Sequence, residues 1–366
     1  MKRFIIKAII FIIPILSIIC AINYIIDPGQ VFGDGDFERQ VAAGQNKGMN
    51  VIIDTNYDER EEQRFFIDGL TEKPDGLILG SSRVLGIPPE AFGFESGVNS
   101  GLSGASIKDL IPIVGIYHER NLLPDFVVIG VDPWMFNDNS GETRHEELAV
   151  EYMAFAPTLG INVNPGNRLA YLRPVLSRCK NMLSLSYFQE SLKAGIKGSS
   201  AIAPTAQYTT DAQPQEKALK LADGSMVYGE DLRSMTTEEV IQSVNETIAS
   251  GVLYQSENFT VLSPDACDQF NRLVTFLREN EIDVQFVLTP FHPYLYSYIQ
   301  TEDKYKEIIL AEAYIRQYAS ENDILIIGSY DPSAANASND DFYDYMHPKR
   351  EYMALLCAKN NAMQPL

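Results

Sequence analysis

The sequence predicts a doubly wound α/β domain, with a mainly parallel sheet flanked by helices. The first observation is a set of short apolar runs, rich in Val, Ile and Leu, that end at Gly, Pro or polar residues. These runs cover residues 76–79, 126–131, 284–288 and 324–327, and a shorter fifth run ends near Val98. Continuous runs of this length are typical of parallel strands that are covered on both faces. The second observation is that helical patterns separate the runs, which gives the strand–helix alternation of α/β proteins.

Helix-start signals define these helices. Ser106 can cap a helix that extends to about Arg120, and its apolar residues fall on one face. Ser263 precedes Pro264, a residue that suits the first helical position. Two more helices are expected over 302–320 and 349–360. Ligands of such sheets bind beyond the carboxyl ends of the strands, so the residues after each run are candidates for a site.

The N-terminal residues predict a membrane anchor over residues 1–27. Lys2, Arg3 and Lys7 precede an apolar run from Ala8 to Ile26. As a helix, this run of about 19 residues would span about 28 Å, close to the thickness of a hydrocarbon core. Basic residues favour the cytoplasmic side, so we expect the rest of the chain to lie outside the cytoplasm. A cleaved signal peptide is the alternative, although no small-x-small site follows the run.

Two regions fall outside the strand–helix alternation. Residues 28–75 predict a membrane-proximal linker that leads into a helix around 57–70. Residues 76–366 predict the α/β domain, and about 138–262 predict a helical, loop-rich insertion within it that has few strand-like runs. The insertion could form a lid or a partner surface, or it could be a peripheral elaboration without a chemical role.

Composition argues against several functional classes. The formal net charge of -20 would repel a phosphate backbone, so we expect no nucleic-acid partner. The four cysteines form no C-x-x-C pair and the four histidines show no H-x-x-x-H spacing, so we expect no metal site. No motif calls for a cofactor.

Two short motifs contain the residue types of nucleophilic catalysis. Ser82 follows the first predicted strand in the sequence Gly-Ser-Ser-Arg, where a tight turn would expose its hydroxyl. Asp344 and His347 lie three residues apart before the last predicted helix, where a carboxylate can orient an imidazole toward a nucleophile. An ordinary surface turn would explain each motif taken alone.

Other residues at strand ends could contribute to the same cleft. The small-residue loop Asn99–Ser106 could bind an oxyanion through free N–H groups, or it could be an ordinary strand–helix turn. Trp134, the single Trp, could stack on a sugar ring or be a core or rim aromatic. Arg83 could bind an anionic substrate group or pair with a local carboxylate. His292 could line the cleft or stabilise a turn.

In their order and setting these motifs resemble the SGNH/GDSL hydrolase family. Residues 80–82 are similar to the family's Gly-Asp-Ser block, with Ser in place of Asp, which implies Ser82 as the nucleophile. Residues 99–104 resemble the second block, which implies Gly104 as an oxyanion-hole donor beside the Ser82 N–H. The Asp-x-x-His motif resembles the fifth block, which implies His347 as the general base and Asp344 as its orienting group. The resemblance covers 76–135 and about 280–350.

One position departs from the family pattern. The third block reads Gly-x-Asn-Asp, and its Asn donates to the oxyanion, but the matching residue in this chain is Asp132. An ionised carboxylate cannot donate a hydrogen bond. Asp132 is therefore protonated, or has another role, or leaves an oxyanion hole with backbone donors alone. This departure leaves open a catalytically silent protein.

The Gly-Ser-Ser start, the anchor and the insertion resemble one branch of the family, which includes the D-alanylation protein of teichoic-acid operons and the alginate O-acetylation proteins. The resemblance implies an extracytoplasmic serine esterase or O-acyltransferase on the cell membrane, which acts on acyl esters of a cell-envelope polymer or another glycan. It also implies a membrane-bound O-acyltransferase as partner. A silent binding or assembly subunit is the alternative function. A phosphodiesterase is a third, although the chain offers few metal ligands or basic groups for phosphate.

Overall fold

A computed structural model of the 366-residue chain describes residues 2–27, 35–163, 179, 182–196 and 205–361. In these ranges the α-helices are α1 (Lys2–Ile26), α2 (Asp36–Gln45), α3 (Glu59–Gly69), α4 (Ser82–Leu85), α5 (Ile107–Glu119), α6 (Ala149–Phe155), α7 (Leu185–Ile196), α8 (Glu230–Arg233), α9 (Thr237–Ser250), α10 (Pro264–Glu279), α11 (Pro293–Thr301), α12 (Lys306–Glu321) and α13 (Arg350–Asn361). The strands are β1 (Asn50–Ile53), β2 (Gly76–Leu79), β3 (Val98–Asn99), β4 (Phe126–Gly130), β5 (Gln207–Thr209), β6 (Ala218–Lys220), β7 (Met226–Val227), β8 (Asp283–Leu288) and β9 (Leu325–Gly328).

The central element is a five-stranded parallel sheet with the order β3-β2-β4-β8-β9. Its strands coincide with the five predicted apolar runs. Alternate residues of each strand pack into two separate cores. Leu77 and Leu79 join the core that also contains side chains of α5, α10 and α12, whereas Ile78 packs in a smaller core with α13. The prediction of an α/β fold with a parallel sheet flanked by helices is therefore confirmed.

The predicted helices form within a few residues of their expected bounds. Ser106 caps α5 in a capping box, and the Ser263 side chain accepts from the Ala266 N–H at the start of α10. The helix expected around 57–70 is α3, which Asp58 caps through the N–H groups of its first turn.

The strand order locates a crevice in the sheet. From β2 the chain moves to one edge to form β3, and it then returns to the other side of β2 to form β4, β8 and β9 in turn. The winding direction thus reverses between β2 and β4. Ligands of such sheets bind beyond the carboxyl ends of the strands at this reversal. Ser82 follows β2 and Asp132 follows β4, so both lie beside the crevice.

A second sheet corrects the prediction for the two remaining regions. It is antiparallel, with the order β5-β1-β6-β7. Its strand β1, and α2 before it, lie in 28–75, which was expected to hold only a linker and a helix. The other three strands belong to the insertion, which was expected to have few strand-like runs. These strands have only two to four residues, too few for hydrophobic periodicity to show.

The N-terminal helix packs against the insertion. Asn23 in α1 donates from Nδ2 to the carbonyl oxygens of Met182 and Ser184, at 3.0 and 3.1 Å, beside α7. Within the described residues, no helix combines the length and the apolar character that crossing a membrane requires. The transmembrane part of the prediction for residues 1–27 therefore has no support in the structure.

Candidate active site

The structure brings three of the predicted residues together beyond the carboxyl ends of the strands. Ser82 Oγ lies 2.9 Å from His347 Nε2, and His347 Nδ1 lies 2.7 Å from Asp344 Oδ2. The side chains of His347 and Asp344 are 22% and 23% exposed, and Ser82 is also partly exposed. The three groups form a hydrogen-bonded chain that solvent can reach at the serine end.

A close approach of two strands fixes the turn that carries Ser82. Gly80 has a φ of +149°, and a Cβ there would lie only 2.9 Å from the carbonyl oxygen of Gly130 in β4. Only glycine fits this position without displacing the neighbouring strand. The Ser81 hydroxyl then accepts from the Arg83 N–H at 3.1 Å and caps the short helix α4. Ser82 becomes the first residue of that helix, where its own N–H has no intrahelical acceptor.

The Asp344 carboxylate is held by its own turn. Its Oδ1 accepts from the N–H groups of Met346 and His347, both at 2.8 Å, while Oδ2 binds the imidazole. Burial raises the pKa of Asp344, but the charge of His347 and these hydrogen bonds outweigh that effect and hold the pKa below its usual value. The carboxylate therefore stays ionised at neutral pH and keeps the imidazole in one orientation.

The insertion contributes Tyr228, which the sequence analysis did not identify. Its hydroxyl donates to the carbonyl oxygen of Ser82 at 3.3 Å. Its ring meets the His347 ring edge-on at 6.1 Å between centroids, and the Tyr343 ring at 5.3 Å. Burial and then the nearby Asp344 charge raise the pKa of Tyr228, so the hydroxyl remains a donor. A tyrosine between a short strand and a short helix has no sequence signature that would reveal this contact.

Arg83 is buried and pairs with Asp132, which is the carboxylate-pairing alternative of its prediction and not the substrate-binding one. Arg83 Nη1 donates to Asp132 Oδ1 at 2.8 Å, and the two side chains are 0% and 2% exposed. Arg83 also donates to the carbonyl oxygens of Met346, at 3.0 Å, and of Pro290, at 2.8 Å. Its guanidinium lies 4.3 Å above the Phe291 ring. Arg83 therefore ties together the ends of β2, β4 and β8.

The same pair assigns a role to Asp132. Burial raises the pKa of its carboxyl, and the Arg83 guanidinium and the Ser81 hydroxyl offset part of that rise. Because Asp132 accepts from Arg83, it is a partner of a buried cation and not an oxyanion donor. The prediction of Asp132 in the oxyanion hole is therefore replaced by a structural role.

Trp134 and His292 are also buried, in agreement with the structural alternative of each prediction and not with substrate binding. Trp134 donates from Nε1 to the carbonyl oxygen of Ala105 at 3.2 Å and supports the loop before α5. His292 accepts from the Tyr294 N–H at 3.3 Å and caps α11. Burial lowers the pKa of His292 to about 4, against the opposing effect of Asp344, so its ring is neutral at neutral pH. Both residues follow strand ends, but their side chains point into the core.

The loop of residues 101–106 has one free N–H group. The N–H groups of residues 101, 102, 103, 105 and 106 donate, in that order, to Asn99 Oδ1, the Gly80 carbonyl, Glu59, the Leu102 carbonyl and Asp109. In the described part of the chain, neither the Gly104 N–H nor the Ser82 N–H donates a hydrogen bond. The bond from Leu102 to Gly80 lays the loop beside the Ser82 turn, which makes these two N–H groups the candidate oxyanion donors.

Residues of the insertion cover Gly104. Gly104 has a φ of +62°, and a Cβ there would collide with the Arg144 guanidinium and the Tyr254 hydroxyl. These two groups hydrogen-bond each other, and Arg144 is paired with Glu142. Burial alone would raise the pKa of Glu142, but hydrogen bonds from Arg144 outweigh it and lower the pKa to about 2.

A polar groove of about 480 Å³ opens beside this cover. It is lined by residues from 140–143 and 247–257 and by Tyr345. It reaches the candidate site at Tyr345, which follows Asp344, and at Tyr254, which lies against Gly104. Elsewhere in the described ranges, no group of three or more His, Cys, Asp or Glu side chains could hold a metal ion.

Comparisons with protein-family models, with curated proteins and with solved structures found no match to this chain.

Proposed function

We propose that the protein is a serine esterase or O-acyltransferase of the SGNH type. The observation that carries the proposal is the hydrogen-bonded chain from Ser82 through His347 to Asp344 at the carboxyl ends of β2 and its neighbours. A serine hydroxyl is a weak nucleophile at its own pKa, and an adjacent imidazole that is oriented by a carboxylate supplies the activation it needs.

The geometry supports a two-step acyl transfer. Ser82 Oγ attacks the ester carbonyl carbon while His347 Nε2 takes the hydroxyl proton. The oxyanion accepts from the N–H groups of Gly104 and Ser82, and Asp344 stabilises the imidazolium. Collapse of the intermediate breaks the ester C–O bond, and the leaving alcohol takes the proton from His347. Water or a sugar hydroxyl then attacks the acyl-enzyme with His347 again as the base, the acyl–Oγ bond breaks, and Ser82 Oγ takes the proton back from His347. The choice between water and a sugar hydroxyl separates hydrolase from transferase.

The substrate class and the location in the cell rest on the sequence resemblance. In this proposal the acyl ester belongs to a cell-envelope polymer or another glycan, and a membrane-bound O-acyltransferase works with the protein. The basic and apolar N-terminal pattern supports attachment to the outer side of the cell membrane, and no cofactor takes part. The polar groove that ends at Tyr345 suits an extended, hydroxyl-bearing substrate.

A serine-reactive fluorophosphonate tests the nucleophile. We expect intact mass to show one adduct on the native full chain and on Ser297→Ala, which changes an exposed serine of α11. We expect no adduct on Ser82→Ala or on His347→Ala, because each variant removes a partner of the 2.9 Å contact. Failure to label a native chain whose circular dichroism shows it is folded would contradict an autonomous serine enzyme.

The Arg83–Asp132 pair favours a second candidate function. Because Asp132 is paired, no side chain takes the place of the Asn donor of the family, and the oxyanion would depend on backbone donors. A catalytically silent SGNH-like subunit of a polysaccharide-modification complex would tolerate this arrangement. The same labelling experiment separates the two functions, because a silent subunit would give a folded chain without an adduct.

A further inference from the structure

The loop that carries Gly104 is clamped by α3, a helix that lies outside the SGNH-like segments. Glu59, the first residue of α3, accepts from Ser103 twice. Its Oε1 binds the Ser103 hydroxyl at 2.8 Å, and its Oε2 binds the Ser103 N–H at 2.5 Å. Hydrogen bonds to an ionised acceptor are shorter and stronger than neutral ones. Glu59 thus fixes the backbone N–H and the side chain of Ser103, the residue before Gly104.

The next residue of α3 holds the far end of the same loop. Arg60 donates from Nε to Asp109 Oδ1 at 2.7 Å, and both side chains are almost fully buried. The other oxygen of Asp109 accepts from the N–H and the hydroxyl of Ser106, at 2.7 and 2.8 Å. Gly104 therefore lies between two anchored serines, and two consecutive residues of α3 are responsible for both anchors.

Helix α3 is itself rigidly placed. Asp58 caps it by accepting from the N–H groups of Arg60 and Glu61. Phe66 and Ile67 on its inner face are buried in the main core. The cap and the core contacts hold the first turn of α3 in place, and this turn supports the loop.

From this arrangement we propose that Glu59 is a positioning residue that aims the Gly104 N–H at the oxyanion. The inference rests on the proposed function and adds a residue from the accessory part of the chain to it. An oxyanion donor stabilises the transition state only if it is already in place when the charge develops. Every other N–H of residues 101–106 is bonded, and the Ser103 N–H donates to Glu59 itself.

Steady-state hydrolysis of p-nitrophenyl acetate by the full chain tests the role of Glu59. We expect Glu59→Ala to lower kcat roughly 100-fold, the scale of losing one oxyanion donor. Glu59→Gln should lower kcat roughly tenfold, because its amide oxygen can still accept from the Ser103 N–H. We expect KM and the pH profile of kcat/KM to stay unchanged, since neither variant touches the Ser82–His347–Asp344 chain.

Two controls separate positioning from loss of structure. Glu61→Gln changes the same helical turn but affects a carboxylate that pairs with Arg64 away from the loop, so we expect native kinetics. Ser103→Ala removes only the contact of the Ser103 hydroxyl. It leaves the hydrogen bond from the backbone N–H of residue 103 to Glu59. In the Glu59→Gln background, Ser103→Ala should cost less than it does in the native chain, because the two residues act as one unit. This cycle remains informative if Glu59→Ala does not fold.

The outcomes distinguish the inference from the function on which it rests. A native chain that turns over ester, with Glu59 variants that match Glu61→Gln, would overturn the role of Glu59 and leave the proposed function intact. A fall in kcat accompanied by a shift of the pH profile of kcat/KM would also overturn it, because Glu59 would then act through His347. A folded native chain without turnover or labelling would overturn the proposed function, and the role of Glu59 with it.

Discussion

The two sheets of the molecule differ in their strands and in the residues that they contribute to the candidate site. The central parallel sheet is built from mainly apolar strands, and its carboxyl ends carry Ser82 and the buried Arg83–Asp132 pair. The antiparallel sheet is built from strands of two to four residues and contains buried polar side chains such as Lys220. Tyr228 follows its last strand, and Glu59 lies beyond its strand β1. Ser82 therefore follows a strand of the central sheet, whereas Tyr228 and Glu59, which contact the Ser82 carbonyl and Ser103, come from the region around the antiparallel sheet.

The largest expected effect concerns the central sheet, where the Arg83–Asp132 pair joins the ends of the strands. Arg83→Met would leave Asp132 buried without its cation, and it would remove the donor to the Met346 and Pro290 carbonyls. We expect the free energy of unfolding to fall by about 3–5 kcal/mol, as for other buried ion pairs that lose one partner. Urea unfolding followed by circular dichroism measures the change.

An exposed ion pair provides the matched control for Arg83. Arg120→Met removes the pair with Asp68, whose side chains are 36% and 54% exposed, and should cost less than about 1 kcal/mol. The double variant Arg83→Met with Asp132→Leu should recover part of the loss, because no buried charge remains. A single Arg83 variant as stable as Arg120→Met would show that the strand ends do not depend on the guanidinium.

The second effect concerns a buried charge beside the antiparallel sheet. Glu62 in α3 lies 3.9 Å from Lys220 of β6, and neither side chain is exposed. Burial raises the pKa of Glu62 to about 7, against the opposing charge of Lys220. Between about pH 4.5 and pH 7 the folded chain therefore holds a proton that the unfolded chain releases. The contribution of Glu62 to stability falls as the pH rises through this window, by on the order of 3 kcal/mol.

Glu62→Gln removes this pH dependence. We expect the free energy of unfolding of the native chain, relative to that of Glu62→Gln, to be lower at about pH 8 than at about pH 5. Urea titrations at the two pH values give the comparison, with the exposed Glu72→Gln as the control. A relative stability that rises with pH would mean that Glu62 is ionised and well paired in the folded protein.

The smallest effect tests whether the antiparallel region orients the serine. Tyr228→Phe keeps the ring against His347 and removes only the hydroxyl bond to the Ser82 carbonyl. A neutral hydrogen bond contributes about 0.5–1.5 kcal/mol, so we expect kcat for ester hydrolysis to fall roughly two- to tenfold. Tyr208→Phe is the control, because its hydroxyl also donates to a backbone carbonyl but lies on the exposed strand β5. Equal rates for the two variants would contradict the contribution of Tyr228.

The sequence predicted the central sheet because burial on both faces leaves a local signal. Each of β2, β4, β8 and β9 is a short, mainly apolar run that can be recognised without knowing its partner. The antiparallel sheet has no such signal. Strand β1 pairs with β5 and β6, and its partner residues lie more than 150 positions away, so no local pattern connects them.

The candidate site was predicted only in part, because some of its residues leave a local signal in the sequence and others do not. Motif spacing indicated that Ser82, Asp344 and His347 follow strand ends, and the structure brings their side chains together. Arg83, Trp134 and His292 follow strand ends as well, but spacing does not indicate whether a side chain faces the cleft or the core. Glu59 and Tyr228 carry no motif, because a single carboxylate or hydroxyl acquires its role only from the loop it contacts.

The separation of Ser82 from His347 has a consequence for how the protein is made. The two residues are 265 positions apart in the chain. During synthesis the serine therefore emerges long before the imidazole that would activate it, and β4, β8 and β9 must also form in between. Until almost the whole chain has been synthesised, Ser82 therefore lacks the His347 contact that completes the candidate site.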